Sequence, residues 1–123
     1  MQHGFNAYAA AAKTAQSTVS PRELEASLLI KAAARIQTVA DDWAMRSGEL
    51  DEALTYNRRL WTILVSAVTA EDNPLPVEIK RNILGLANFI FNHTIRVSIE
   101  PAPQKLAVLV SINRDIATGL RGR

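Results

Sequence analysis

LDEALTYNRRLWTILVSAVT, residues 50–69, decides the fold class. Leu50, Leu54, Trp61, Leu64 and Val68 follow one another at intervals of four, seven, three and four residues. Those intervals are whole turns of an α-helix, so the five side chains form one apolar stripe. Asp51 and Glu52 occupy the first turn, where the positive end of the helix dipole favours acid. Asn57 interrupts the stripe. An amide on a buried face costs about 1–3 kcal/mol if its hydrogen bonds are not made. Asn57 is therefore expected to bond a loop backbone, a helix end or another side chain.

Working outward, the flanking segments read the same way. Upstream, Ser20-Pro21-Arg22-Glu23 combines an N-cap serine, a proline at the first helical position and a glutamate at the third. The helix it opens runs toward Arg46 with Leu28, Ala32, Ile36, Val39 and Trp43 inward, and Gly48 is its expected stop. Before it, Phe5 to about Gln16 is a short alanine-rich helix with Phe5, Tyr8, Ala9 and Ala12 on one face. Alanine favours helix but buries little, so this element is expected to dock loosely.

Downstream, Asp72-Asn73-Pro74-Leu75-Pro76 is a rigid loop. A helix from about Pro76 to His93 follows, in which Ile83, Leu84, Leu86, Ala87, Phe89, Ile90 and Phe91 cover most of the circumference. A helix apolar all round is expected at the centre of the fold. Its Gly85 either permits close helix approach or is merely tolerated. Ile95, Val97 and Ile99 alternate with polar residues, which predicts an extended, half-buried connection ending at Pro101-Ala102-Pro103. The last helix runs from Gln104 to about Thr118 with Leu106, Leu109, Ile112 and Ile116 inward, Asn113 among them, and Gly119 as its stop. The expected architecture is all-α: one domain over residues 1–123, a compact bundle of about five helices with a hydrophobic fourth helix at the centre and a loosely docked N-terminal helix.

Composition agrees with a single folded domain. Of 123 residues, 48% are hydrophobic and 21% charged, enough to enclose a core and too apolar for disorder. There is no cysteine, which removes disulfides, thiol catalysis and zinc–thiolate sites. The net charge of +2 is too small for a dedicated nucleic-acid binder. No apolar run approaches a bilayer span, and the N-terminus does not read as a secretory signal. A soluble, cytoplasmic protein is expected.

Catalytic chemistry finds no constellation. His3 and His93 are far apart, and no glycine-rich phosphate loop exists. Asp41 and Asp42 are adjacent on a helix and point about 100° apart, a poor geometry for shared proton transfer. His93, at the expected end of its helix, reads as a complement to the helix dipole. Trp43 and Trp61 read as core anchors. Arg58-Arg59 and Lys80-Arg81 read as ordinary surface charge, because exposed aromatics do not interleave them. The expectation is no enzyme, no cofactor and no metal, but a domain that binds another macromolecule.

The order and spacing of several short motifs carry this further. Asn6-Ala7-Tyr8, then Ser20-Pro21-Arg22-Glu23-Leu24-Glu25, then Leu50-Asp51-Glu52-Ala53-Leu54 with Asn57-Arg58-Arg59-Leu60-Trp61 resemble the flagellar biosynthesis regulator FlaF family. The Asn73-Pro74-Leu75-Pro76 loop, the helix from Ile83 to His93 and the stretch from Ser111 to Leu120 fit the same family. The resemblance implies a role in flagellin production and secretion, as a flagellin-binding export chaperone. It also implies action alongside FlbT, a translational regulator of flagellin, or the export apparatus; the alternative it leaves is a post-transcriptional regulator or adaptor acting with FlbT on flagellin mRNA. It brings no catalytic residue. A groove beside the first helix, with Tyr8, Arg58 and Arg59 on its rim, is the expected binding site, while Asn57 and Asn113 are expected to be structural.

Overall fold

The computed structural model of the protein describes residues 20–122. Among these residues the secondary structure is entirely helical. Helix α1 spans Pro21–Asp41, the single turn α2 Trp43–Arg46, α3 Leu50–Thr69, α4 Val77–Ile99 and α5 Ala107–Leu120. Short 3-10 turns at Ser47–Glu49 and Pro103–Lys105 lead into α3 and α5. The expected helix over 5–16 and its docking lie outside the described residues. What is described is four long helices joined by tight connections.

Hydrogen bonds fix their relative directions. Arg121 at the end of α5 pairs with Glu23 at the start of α1 at 2.9 Å, and Asn113 donates to the Leu29 carbonyl at 3.2 Å. Moving up α1 thus means moving down α5, and the two are antiparallel. The eight residues 42–49 turn the chain so that α3 returns beside α1. Asn73 organises the next connection. Its Nδ2 donates to the Ala67 carbonyl at 2.9 Å, and its Oδ1 accepts from Leu75 N at 2.9 Å. One side chain so satisfies a carbonyl near the end of α3 and closes an Asx turn, which brings Leu75 into the core.

Helix α1 begins as the sequence dictates: Ser20 Oγ accepts from Glu23 N at 3.1 Å. The other half of the capping box is diverted, since the Glu23 carboxylate takes Arg121. The helix ends at Asp41, before the expected Arg46 and Gly48. Asp42, at φ −128° and ψ 52°, breaks it. Arg46 then bridges Asp42 at 3.5 Å and Glu49 at 3.2 Å, holding the turn locally. At the other end of the chain, α5 continues through Gly119 to Leu120, and the left-handed residue that follows is Gly122, at φ 83°.

Two expectations for α4 are corrected. Residues 95–99 are not an extended connection; α4 continues through them to Ile99. Val97 completes the inward series Ile83, Ala87, Ile90, Thr94 and Val97, whose spacing is helical, and the break comes only before Pro101. Nor is α4 the central helix. Its inward face is that one row, whereas Val77, Leu84, Phe89, Ile95 and Ile99 are exposed. The centre is held by α1, which packs most extensively on α5 and also on α3. Ala26, Ala32 and Ala33 alternate on α1 with Leu29 and Ile36, all fully buried, and their small size lets neighbouring helices approach closely. Apolar content was a poor guide to position, because α1 does its burying with alanine.

Candidate functional site

Three side chains form a polar knot inside the apolar core. Asn113 on α5 accepts from Trp61 Nε1 at 2.9 Å and donates through Nδ2 to Asn57 Oδ1 at 2.7 Å and to the Leu29 carbonyl at 3.2 Å. All three side chains are fully buried. Asn113 thus ties α1, α3 and α5 together at one level of the bundle. Asn57 Nδ2 is buried without a hydrogen-bond partner among the described residues. The sequence placed both amides correctly on inward faces and required partners for them. The geometry makes them a structural register pin rather than a reactive centre, because none of these groups ionises in the working pH range.

His93 does not end its helix. It lies six residues before Ile99, stacks on Phe89 with ring centroids 5.1 Å apart, and contacts the Lys105 carbonyl through Nε2 at 2.7 Å. A carbonyl only accepts, so Nε2 carries the proton. This contact secures the connection between α4 and α5 in place of a dipole role. Trp61 is a core anchor as expected, and Trp43 packs half-buried at the core's edge.

Of the expected rim residues, the described ones are Arg58 and Arg59. Arg58 and Arg59 are both exposed on α3, and Tyr8 lies outside the described residues. A feature the sequence reading missed sits nearby: the Arg35 guanidinium lies 4.9 Å from the centroid of the Tyr56 ring. Burial pushes the Tyr56 phenol above its ordinary range, and the Arg35 charge partly opposes that. Next to Arg35, a small half-open cleft of about 140 Å³ is lined by Thr38, Val39, Glu49, Glu52 and Ala53. It is large enough for a few waters and too small for a folded segment.

Among the described residues, α4 also carries an exposed apolar row. Val77, Leu84, Ile95 and Ile99 are 61%, 38%, 57% and 78% exposed. They are separated by two, three and one helical turns and so form a second stripe, about a third of a turn round the helix from the buried row. Arg81 and Asn88 interrupt it, and Phe91 is half-buried at its border. The two stripes together gave the helix its all-round apolar appearance. Separating them by phase along residues 77–99 was the signal available in the sequence.

A protein-family model described as "Flagellar protein FlaF" matches residues 5–120. The chain belongs to the FlaF family. The match takes in every described helix of the bundle, so fold and family are properties of the same stretch. No curated protein and no solved structure matches the chain. No described helix is long and apolar enough to cross a membrane.

Proposed function

We propose that this FlaF-family protein is a flagellin-binding export chaperone and a positive regulator of flagellin synthesis and secretion. It works in the cytoplasm by binding, without catalysis. The observation that carries the reading is the FlaF match over residues 5–120, which makes the chain's role a flagellar one. The architecture supports binding over chemistry. The polar knot of the core is two amides and an indole bonded to one another, with the Thr94 hydroxyl bonded on its own helix and Glu25 buried elsewhere, and an apolar helix face is left on the surface. Unassembled flagellin offers terminal segments with amphipathic helical potential. Holding such a segment against an apolar surface blocks premature polymerisation, by helix-in-groove recognition.

The direct test is titration of the full chain with purified flagellin in a calorimeter, after copurification. Saturable binding at micromolar concentrations is expected. Absence of heat and of copurification at those concentrations refutes the chaperone reading. Salt sharpens it, since affinity carried by apolar contact survives a rise in salt that would abolish binding to nucleic-acid phosphates.

A further inference from the structure

We infer that the outer face of α4 is the flagellin-docking surface, and that its occupant is an amphipathic helix carrying carboxylates beside its apolar stripe. This rests on the chaperone reading and assigns it a place on the molecule. Three observations converge. The first is the exposed stripe Val77, Leu84, Ile95 and Ile99, which spans the whole length of α4. Val77, Ile95 and Ile99 are each more than half exposed, so the fold gains little from apolar side chains at those positions.

The second is Gly85. Glycine within a helix is unfavourable relative to alanine. Here the backbone is right-handed, and a Cβ built at Gly85 would meet nothing within 4 Å. No neighbour in the bundle requires the glycine. It is exposed, about a quarter of a turn round the helix from Leu84, where a missing side chain lets a second helix come close.

The third is charge. Lys80, Arg81 and Arg96 lie on or beside the stripe, and none of them forms an ion pair with another described residue. The one carboxylate within α4 is Glu78. A cationic border selects an acidic-flanked occupant. It disfavours the two internal alternatives. Residues 1–19 contain no Asp or Glu and one lysine, so they offer no counter-charge. A second copy would set the same cations against one another.

The test uses the full chain and purified flagellin. Leu84→Glu with Ile95→Glu is expected to weaken binding at least tenfold; because Leu84 is only 38% exposed, Val77→Glu with Ile99→Glu, at 61% and 78% exposed, repeats the test with helix content and melting unchanged. Arg81→Glu with Arg96→Glu is expected to weaken it several-fold without touching the apolar stripe. Gly85→Ala is expected to raise the melting temperature while weakening binding, a combination that a purely structural glycine would not give. Since the chain has no cysteine, Ile95→Cys supplies a unique thiol whose alkylation rate reports cover on the face. It is expected to react freely in the chain alone and to be protected by flagellin. Unchanged affinity in the Leu84→Glu, Ile95→Glu protein overturns the surface and leaves the chaperone reading standing. No binding by the unaltered chain overturns both. Protection of the thiol in the dilute chain alone would assign the face to residues 1–19, and protection that grows with chain concentration would assign it to a second copy. Either result overturns the proposed occupant.

Discussion

Asn57 and Asn113 touch each other, yet replacing them should have very different consequences. Asn113 makes three hydrogen bonds: from Trp61 Nε1, to Asn57 Oδ1 and to the Leu29 carbonyl. In Asn113→Leu the buried indole N–H and the Asn57 amide are both stranded, while the Leu29 carbonyl remains within a helix. Two stranded groups cost about 1–3 kcal/mol each, and the extra apolar surface returns about 1–2 kcal/mol, leaving a net loss centred on about 2.5 kcal/mol. Asn57→Leu differs. It removes Nδ2, which has no hydrogen-bond partner among the described residues, and takes one acceptor from Asn113, which keeps Leu29. Its net effect should lie within about 1 kcal/mol of zero. The double variant should be more stable than Asn113→Leu alone, because it no longer buries an idle amide. Urea unfolding followed by circular dichroism measures all three, with two-state behaviour expected of a domain this small. Equal losses in the two single variants, or additivity in the double variant, would refute the assignment of Asn113 as the hub.

Three further outcomes are expected. Gly85→Ala should stabilise the fold by about 0.5–1 kcal/mol, because the added methyl meets nothing and helix propensity improves; thermal melting checks this. Ser20→Ala should cost about 1 kcal/mol by leaving Glu23 N uncapped, again read from melting or denaturant midpoints. Tyr56 sets an alkaline limit. Its folded pKa lies above the unfolded value, so the neutral phenol contributes stability that is complete below about pH 10 and is lost as pH rises through the folded value. Tyr56→Phe should flatten that limb in unfolding measured from pH 8 upward, and an unchanged slope would show that another group governs it.

Helix α3 was legible almost to the residue, because its stripe, its acidic first turn and its length all agree with one period. Helix α4 was legible in its existence and misread in its extent and place. Alternation at Ile95, Val97 and Ile99 imitates a strand over so short a window, and only the inward row from Ile83 to Val97 reveals the continuous helix. Central position was unreadable for a related reason. Burial depends on which partners a face meets, and alanines on α1 contribute little to a hydropathy count while being fully enclosed. The burial of the two amides and their need for partners were legible from their place on apolar stripes, but the identity of Trp61 as the third member needed the geometry. Arg35 over Tyr56 joins two helices across a distance in sequence that no local pattern encodes. The candidate rim of Arg58 and Arg59 rested on their being an exposed basic pair, and the structure places both on the surface of α3.

The bundle therefore separates two tasks that usually compete. Stability comes from α1, α3 and α5, locked at the level of Asn113 and sealed by alanine packing. Helix α4 adds one inward row to that core, so its exposed side chains Val77, Ile95 and Ile99 are free to vary without unsettling the interior. A face made apolar for binding threatens solubility unless it is divided. Arg81 breaks this one between Val77 and Leu84, and Asn88 breaks it between Leu84 and Ile95. The apolar area presented to water is then a row of small patches, whereas a docking helix can span all of them and bring carboxylates to the cations between. Removing the interruption, as in Arg81→Leu, should raise flagellin-independent self-association measured by light scattering while sacrificing charge selectivity. If Arg81→Leu stays monomeric and binds flagellin as before, with the same salt dependence, the cation has no part in dividing the face or in choosing its occupant.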